Sequence, residues 1–331
     1  MERVSLKVIA RELGVSAATV SLVLNGKNKN GRVSREMSEK ILTKAAELNY
    51  VPNSLAKGLK MGHSKSIGLI VADISNVFFG TLALHIQNFA EQKGYTVIIG
   101  NTNEEPEEML KMITFFNSRQ VDGLIITPTE GGEFIAKALI EKVKPLVLVD
   151  RCYPDIQTAS VIINNFDISY QSTKQLFARG CKNPAFISYK QDQFHTNERK
   201  RGYLEAMQHE GISLIGKIKE VSYKKLQDDM DCVIEELLQM DPKVDAIFFA
   251  TNSISITGIR TLLKRGMLVQ KDIQVMCFDE SEAILLFPFR VPYVKQPVEE
   301  MAKYALELLI DQIERNNMPN QKIVLDAKLI V

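Results

Sequence analysis

Eight short strand-like runs, separated by stretches of helical periodicity, constrain this chain more than any other feature of its sequence. IGLIV (67–71), TVIIG (96–100), GLIIT (123–127) and LVLVD (146–150) make a first series, and PAFIS (184–188), IKEVS (218–222), AIFFA (246–250) and IQVMCF (273–278) a second. Most are unbroken apolar runs rich in β-branched residues, the pattern of strands buried on both faces. Residues 79–92, 106–117, 199–210 and 226–240 lie between them and read as helices. Two successive α/β series predict two parallel-sheet lobes with helices on both faces of each sheet. Ligands of such sheets bind outside the carboxyl ends of the strands. Those positions carry Asp73, Asn101, Thr127, Asp150, Arg151, Tyr189, Tyr223, Asn252 and Asp279. They come from both series, so a cleft between the lobes would gather them.

The start of the chain follows another pattern. In residues 4–25, VSLKVIARELGVSAATVSLVLN, the side chains of Val4, Leu6, Ile9, Ala10 and Leu13 fall on one face of a helix, and Gly14 breaks it where a turn is wanted. Ser16 is positioned to cap a second helix with Val20, Val23 and Leu24 on its buried side, ended by Asn25-Gly26. Two short helices about a glycine turn are the helix-turn-helix arrangement, whose second helix enters the DNA major groove. A polar basic loop, residues 26–32, leads to a third helix capped by Ser34, with Met37, Ile41, Leu42, Ala45 and Leu48 as its apolar face. Pro52 restarts the chain, and NSLAKGLK (53–60) reads as a short, weak helix, since Gly58 costs about 1 kcal/mol relative to alanine.

Charge divides the chain in the same place. Residues 1–60 hold eleven lysines and arginines against five acids, whereas the remainder holds 30 against 35. A basic head on an acidic body suggests a polyanion partner for the head alone. Cys152, Cys181, Cys232 and Cys277 form no C-x-x-C pair and the four histidines are dispersed, so no zinc site, disulfide framework or cofactor is expected. No apolar signal core opens the chain and no run approaches the roughly 20 apolar residues of a membrane span, which makes the cytoplasm the expected location.

A series of motifs in order carries a resemblance. After the head come Leu48-Asn49-Tyr50-Val51-Pro52-Asn53, LAKGL before the first strand, Asn76-Val77-Phe78-Phe79, Val121-Asp122-Gly123 and Val149-Asp150-Arg151. Arg199-Lys200-Arg201-Gly202-Tyr203, Ala250-Thr251-Asn252-Ser253, Cys277-Phe278-Asp279 and Gln296-Pro297-Val298 follow. Together they resemble the lactose repressor/galactose repressor (LacI/GalR) family of bacterial transcription regulators over essentially the whole length. The resemblance implies an all-α helix-turn-helix head (1–51), a hinge helix and linker (52–65), and an α/β two-lobed effector domain (66–331) similar to periplasmic sugar-binding proteins. Its first lobe would take residues 66–164 and 294–325, and its second 165–293 and the C-terminus. It also implies a homodimer on a roughly palindromic operator. No leucine heptad follows Leu325, so a dimer rather than a tetramer is expected.

The same resemblance assigns residues. Ala17, Ala18 and Leu22 take the base-reading positions of the recognition helix, with Ser16, Thr19, Ser21 and Asn25 placed for phosphates or neighbouring bases. No arginine or histidine stands at Leu22, so bidentate guanine recognition is lacking there, and alanine and leucine suit thymine methyls. The loop that follows is either simply solvated or places Lys27, Lys29 and Arg32 on phosphates. Leu55 takes the position of a leucine wedged into the minor groove at the operator centre. In the body, Phe78 and Phe79 resemble the aromatic pair beside the effector, Arg199 the cleft arginine of R-x-x-G-[FY], Asp279 the acid after the last strand of the second lobe, Asn252 an amide nearby and Tyr223 an aromatic wall. Asp73, Asp150 and Arg151 stand in the same cleft. Arginine and aspartate facing each other can each hold a pair of hydroxyls or ring nitrogens, which suits a sugar or a purine; the alternative is a salt bridge between lobes. The chain departs from the family pattern at Asn252-Ser253 and Asn164-Asn165, where carboxylates are common.

Two other functions compete with this one: a sugar-acting enzyme, such as a kinase, with an added DNA-binding head, and a transport-type binding protein. Neither a Walker-type loop nor a G-x-S-x-G elbow is present, and a basic head has no use in transport. The expectation is a DNA-binding regulator, with no catalytic residue, controlled by a small effector.

Overall fold

A computed structural model describes residues 5–26, 28, 32–50, 63–315 and 320–331. The chain divides into two compact units, one up to Ser64 and the other Lys65–Val331.

Among the described residues the first unit has three helices, α1 (Leu6–Glu12), α2 (Ala17–Leu24) and α3 (Arg35–Glu47). Gly14 takes φ +66°, a left-handed turn conformation that costs glycine nothing. Ser16 caps α2 by accepting the Thr19 N–H at 3.0 Å, and Ser34 caps α3 through the Met37 N–H at 3.2 Å. Ile9, Val20 and Ile41 are fully buried and, with Ala10, Val23, Val33 and Ala45, form the one core of this unit. Large buried side chains contribute about 1.5–3 kcal/mol each, so so small a core leaves little to spare. Leu42, expected on the buried face of α3, is instead 53 % exposed. It lies one position past Ile41, which turns its side chain off the stripe that Ile41 and Ala45 bury. The Asn28 amide holds the following loop by donating to the Val33 carbonyl at 2.8 Å and accepting the Val33 N–H at 3.0 Å. Lys27, Lys29, Leu55 and the expected helix at 53–60 lie outside the described residues.

The second unit contains two six-stranded sheets. The first is ordered β11-β5-β4-β3-β1-β2, with β1 (Ser66–Val71), β2 (Thr96–Asn101), β3 (Gly123–Ile126), β4 (Leu146–Val149), β5 (Ala159–Ile163) and β11 (Lys322–Leu325) all parallel. The second is ordered β12-β10-β9-β8-β6-β7, from β6 (Pro184–Tyr189), β7 (Ile218–Val221), β8 (Ala246–Phe249), β9 (Gln274–Phe278), β10 (Tyr293–Lys295) and β12 (Lys328–Ile330), with β12 antiparallel to β10. Helices α4 (Val77–Gln92), α5 (Pro106–Ser118) and α6 (Glu133–Glu141) serve the first lobe. In the second are α7 (Asn165–Ala178), α8 (Phe194–His209), α9 (Leu226–Leu238), α10 (Asn252–Lys264) and the short α11 (Glu282–Leu285). Finally α12 (Val298–Arg315) packs back on the first sheet, where the buried Gln312 amide accepts the Leu146 N–H and donates to the Leu146 carbonyl at 2.8 and 3.1 Å.

All eight strand-like runs form strands. The structure adds four more, at Ala159–Ile163, Tyr293–Lys295, Lys322–Leu325 and Lys328–Ile330. Three of these are three or four residues long, too short to stand out as runs, and β5 leads almost directly into α7 without a polar turn to mark its end. The return to the first lobe was expected at residue 294. Tyr293–Lys295 instead pairs parallel to β9 in the second sheet, and the return begins at Val298. Val294 is fully buried there, and the β12 side of β10 is closed by the C-terminus.

Candidate functional site

The exposed side of α2 is the candidate nucleic-acid interface. Val20 and Val23 point to the core, which leaves Ser16, Ala18 and Asn25 exposed and Ala17, Thr19, Ser21 and Leu22 half-buried. Ala17 and Leu22 also pack against the core of the three-helix unit. Ser16 and Thr19 hydroxyls meet at 2.9 Å, and the Asn25 amide folds onto the helix, donating to the Ser21 carbonyl at 2.7 Å. The face therefore offers small apolar groups flanked by hydroxyls. Arg32 is exposed beyond it.

The second candidate site lies between the two lobes, built on the carboxyl ends of the strands. Asp150 follows β4 and Asp279 follows β9, and each takes a left-handed φ, +69° and +71°. Aspartate is among the residues that tolerate this conformation, at a modest cost. Both carboxylates are buried, and both lie within electrostatic reach of Arg199. Burial raises both, Asp279 to about 6, although Arg199 and a 2.6 Å hydrogen bond from the Gln296 amide pull it the other way.

Arg199 reaches the cleft because of its helix. Gly202, one turn on, lets α8 lie against α7: a Cβ there would stand 2.3 Å from the Phe166 carbonyl oxygen. Tyr203 anchors the same turn through its hydroxyl to the Pro184 carbonyl at 2.9 Å. Arg199 then donates from Nε to Asn165 at 2.7 Å and from Nη1 to the Ala250 carbonyl at 2.8 Å, with its guanidinium 3.5 Å from the Phe278 ring centroid. Burial lowers its pKa to about 10, against the opposing pull of Asp279 and Asp150, and it stays a cation at neutral pH. Arg151 is held otherwise. Glu104 grips it in a fork, at 2.6 and 2.7 Å, and its Nε stands 3.4 Å from Asp150.

The remaining expected residues divide. Phe78 and Phe79 are both buried in the core, edge to face at 5.0 Å, with Phe79 beneath Arg151 at 5.8 Å. Phe78 also lines, with Asp279, Gln296 and Val298, a cavity of about 580 Å³. Asn252 is buried beside Asp279, with its amide nitrogen unpartnered. Tyr223 is a bridge more than a wall: its hydroxyl donates to Asp73 of the other lobe at 3.0 Å. Lys224 to Glu105 at 2.7 Å and the Asp192 N–H to Glu130 at 3.1 Å cross the same gap. A hydrogen bond to a carboxylate such as the first contributes about 1.5–3 kcal/mol, whereas the exposed ion pair is screened.

Residues 64–328 match the family described as periplasmic binding proteins and sugar binding domain of LacI family, and residues 5–53 match bacterial regulatory proteins, lacI family. The chain belongs to the LacI family. It is 30 % identical over 327 residues to the HTH-type transcriptional regulator RegA of Clostridium saccharobutylicum, covering 98 % of this chain and 97 % of that one. It is also 30 % identical to a ribose operon repressor of Halalkalibacterium halodurans, covering 99 % and 96 %. Its fold is that of the lac repressor dimer bound to operator and an anti-inducer, with a TM-score of 0.83 at 21 % identity, covering 100 % and 98 %. As a LacI-family protein the chain is a DNA-binding transcription regulator and not an enzyme. Among the described residues, no helix is long and apolar enough to cross a membrane and no group of three or more His, Cys, Asp or Glu could hold a metal ion.

Glu104, Gln193 and His195 are not among the site residues the sequence singles out, whereas Asn165 and Gln296 stand there only within motifs. His195 is buried within reach of both arginines, and burial together with those charges holds its imidazole neutral. The segment FHTNE that opens α8 has no apolar stripe, so α8 was expected to begin at 199 instead of Phe194. That shift left His195 in an apparent loop, while Gln193 precedes the helix in the structure as well.

Proposed function

We propose that this regulator is a repressor whose hold on its operator is set by a small polyhydroxylated effector bound between the lobes. The observation that carries this reading is the buried cluster of Arg151, Asp150, Arg199 and Asp279, contributed by both lobes, with the unpartnered Asn252 amide and the His195 imidazole beside it. Buried charges are costly unless matched, and buried polar groups without partners are costly in any case, so a fold that keeps both in a cleft keeps them for a ligand. A sugar-like effector agrees with the description of the matched body family and with a relative named for a ribose operon. A ligand touching Arg199 and Asp279 from one lobe and Asp150 from the other favours the closed arrangement, and it acts on operator affinity by that difference alone. The protein would work in the cytoplasm as a homodimer, so that two heads meet two half-sites.

The head makes its own claim. With Ala17, Ala18 and Leu22 in the major groove, and Ser16, Thr19, Ser21 and Asn25 beside the backbone, half-sites should favour A·T pairs at the bases facing the three apolar residues. Lys27, Arg32 and Leu55 would add phosphate and minor-groove contacts. Selection from a random duplex library with the full chain should return a near-palindrome with A·T at those positions. Recovery of G·C at all of them would sink this reading of the recognition helix.

A further inference from the structure

The motif Val121-Asp122-Gly123 has no place in the cleft or on the recognition helix. It lies at the amino ends of the first sheet, away from the carboxyl ends that carry Asp73 and Asp150. There Lys65, Tyr95 and Asp122 each stand immediately before a strand, β1, β2 and β3, and these strands are neighbours in the order β3-β1-β2. Lys65 is also the first residue of the second compact unit, where the chain arriving from the head enters the body.

Lys65 is bound at its backbone and at its side chain. Its N–H donates to Asp122 Oδ2 at 2.9 Å, its carbonyl accepts the Thr96 N–H at 2.9 Å, and its ammonium lies 4.2 Å from the centroid of the Tyr95 ring. Its backbone takes φ +52°, in the left-handed region, which a lysine keeps only where its surroundings over-determine it. Those surroundings are themselves fixed. The Asp122 N–H donates to the Ser66 carbonyl at 2.8 Å, and Lys144, which donates to the adjacent Val121 carbonyl, is within electrostatic reach of the Asp122 carboxylate. Tyr95 is 4 % exposed and belongs to the core of the first lobe. A tether free to swivel needs none of these contacts, whereas a residue held at N–H, carbonyl and side chain leaves the body in one direction.

We propose that Lys65, Asp122 and Tyr95 form a fixed joint that sets the direction in which the head's tether leaves the body, with Asp122 a positioning residue for operator binding, a role that presupposes the homodimer on two half-sites read above. Once one head is bound, the second binds at an effective concentration set by the length and stiffness of its tether. A stiff joint raises that concentration at one half-site spacing and lowers it at others, and a loose joint spreads it. The joint thus contributes to the choice of operator without touching DNA.

Fluorescence anisotropy of the full chain at fixed salt tests this on three duplexes: the selected operator, the same operator with two base pairs inserted between its half-sites, and a single half-site. The wild type should bind the operator at least about 100-fold more tightly than the half-site and lose about tenfold on the insertion. In Lys65→Gly, glycine adopts the left-handed conformation freely but is not confined to it, and no ammonium remains for Tyr95. That variant should bind the operator about fivefold more weakly and lose less than about threefold on the insertion, with half-site affinity unchanged and the body melting within a few degrees of the wild type. Asp122→Ala should act likewise, and Asp122→Asn, which keeps an oxygen for the Lys65 N–H, should restore most of the affinity and the spacing preference. Should Asp122→Ala not fold, Lys65→Gly reads the same loosening. A folded Lys65→Gly chain with the wild type's affinity and spacing preference would overturn the joint and leave the dimer standing, as would a loss of equal size on the half-site and the operator. A wild type that binds the half-site as tightly as the operator would overturn both.

Discussion

Arg199→Met is expected to destabilise the two-lobed body by about 3–5 kcal/mol, since it removes two buried hydrogen bonds from a charged group, each worth about 1.5–3 kcal/mol. Arg199 is 3 % exposed, and its loss leaves Asp279 without a buried counter-charge, Asn165 and the Ala250 carbonyl without their donor and Phe278 without the cation on its face. Methionine refills much of the volume, so the effect reports charge and hydrogen bonding more than packing. Urea unfolding followed by tyrosine fluorescence is the natural assay, as the chain has no tryptophan. Arg199→Lys, which keeps the charge and loses the fork, should fall between the two. A loss below about 1 kcal/mol in the methionine variant would mean that Arg199 does not hold Asn165 and the Ala250 carbonyl in solution.

Asp279→Asn should act in the opposite direction on stability and strongly on ligand binding. Burial carries this carboxyl from an ordinary aspartate's 3.8 to about 6, so the native state binds its proton more tightly than the unfolded state does. A group raised in this way contributes a stability that falls as pH climbs from about 4 through about 6, reaching about 3 kcal/mol at ~1.4 kcal/mol per pH unit. Asparagine does not titrate, and its carbonyl can still accept the Gln296 bond. The variant should therefore match the wild type near pH 4, melt higher at pH 7.5, and show a flatter profile between. Its effector affinity should drop by about 10–150-fold, the worth of a hydrogen bond to a charged group. A variant that melts lower at pH 7.5 would show Asp279 to be a structural ion pair.

How much of this was legible follows from which signals are local. Runs such as AIFFA and LVLVD read directly as strands because burial on both faces demands unbroken apolar residues. Caps at Ser16 and Ser34 read equally well because the hydroxyl that accepts the bond is within three residues of its donor. Tyr293–Lys295 did not, since three residues carry no period and their place is set by β9 and β12. The places of Arg199, Asp279 and Asn252 at the strand and helix ends around the cleft were legible through motifs. Glu104, Gln193 and His195 were not, because each is a polar residue whose importance comes from a partner far off in sequence: Glu104 pairs with Arg151, and His195 lies near Arg151 and Arg199. Leu42 shows the converse error, a leucine at a plausible helix position that three short helices leave in solvent.

The central claim, that the cleft sets operator affinity, has a direct measurement. Fluorescence anisotropy would follow the full chain binding its selected operator duplex at fixed salt, with and without a saturating sugar effector, in the wild type and in Asp279→Asn. Allosteric coupling of about 1–3 kcal/mol corresponds to a shift of about 5–150-fold. The expected result is a shift in that range for the wild type, and little or none for the variant at the same sugar concentration, with similar sugar-free affinities. Equal operator affinity of the wild type with and without bound sugar would contradict it.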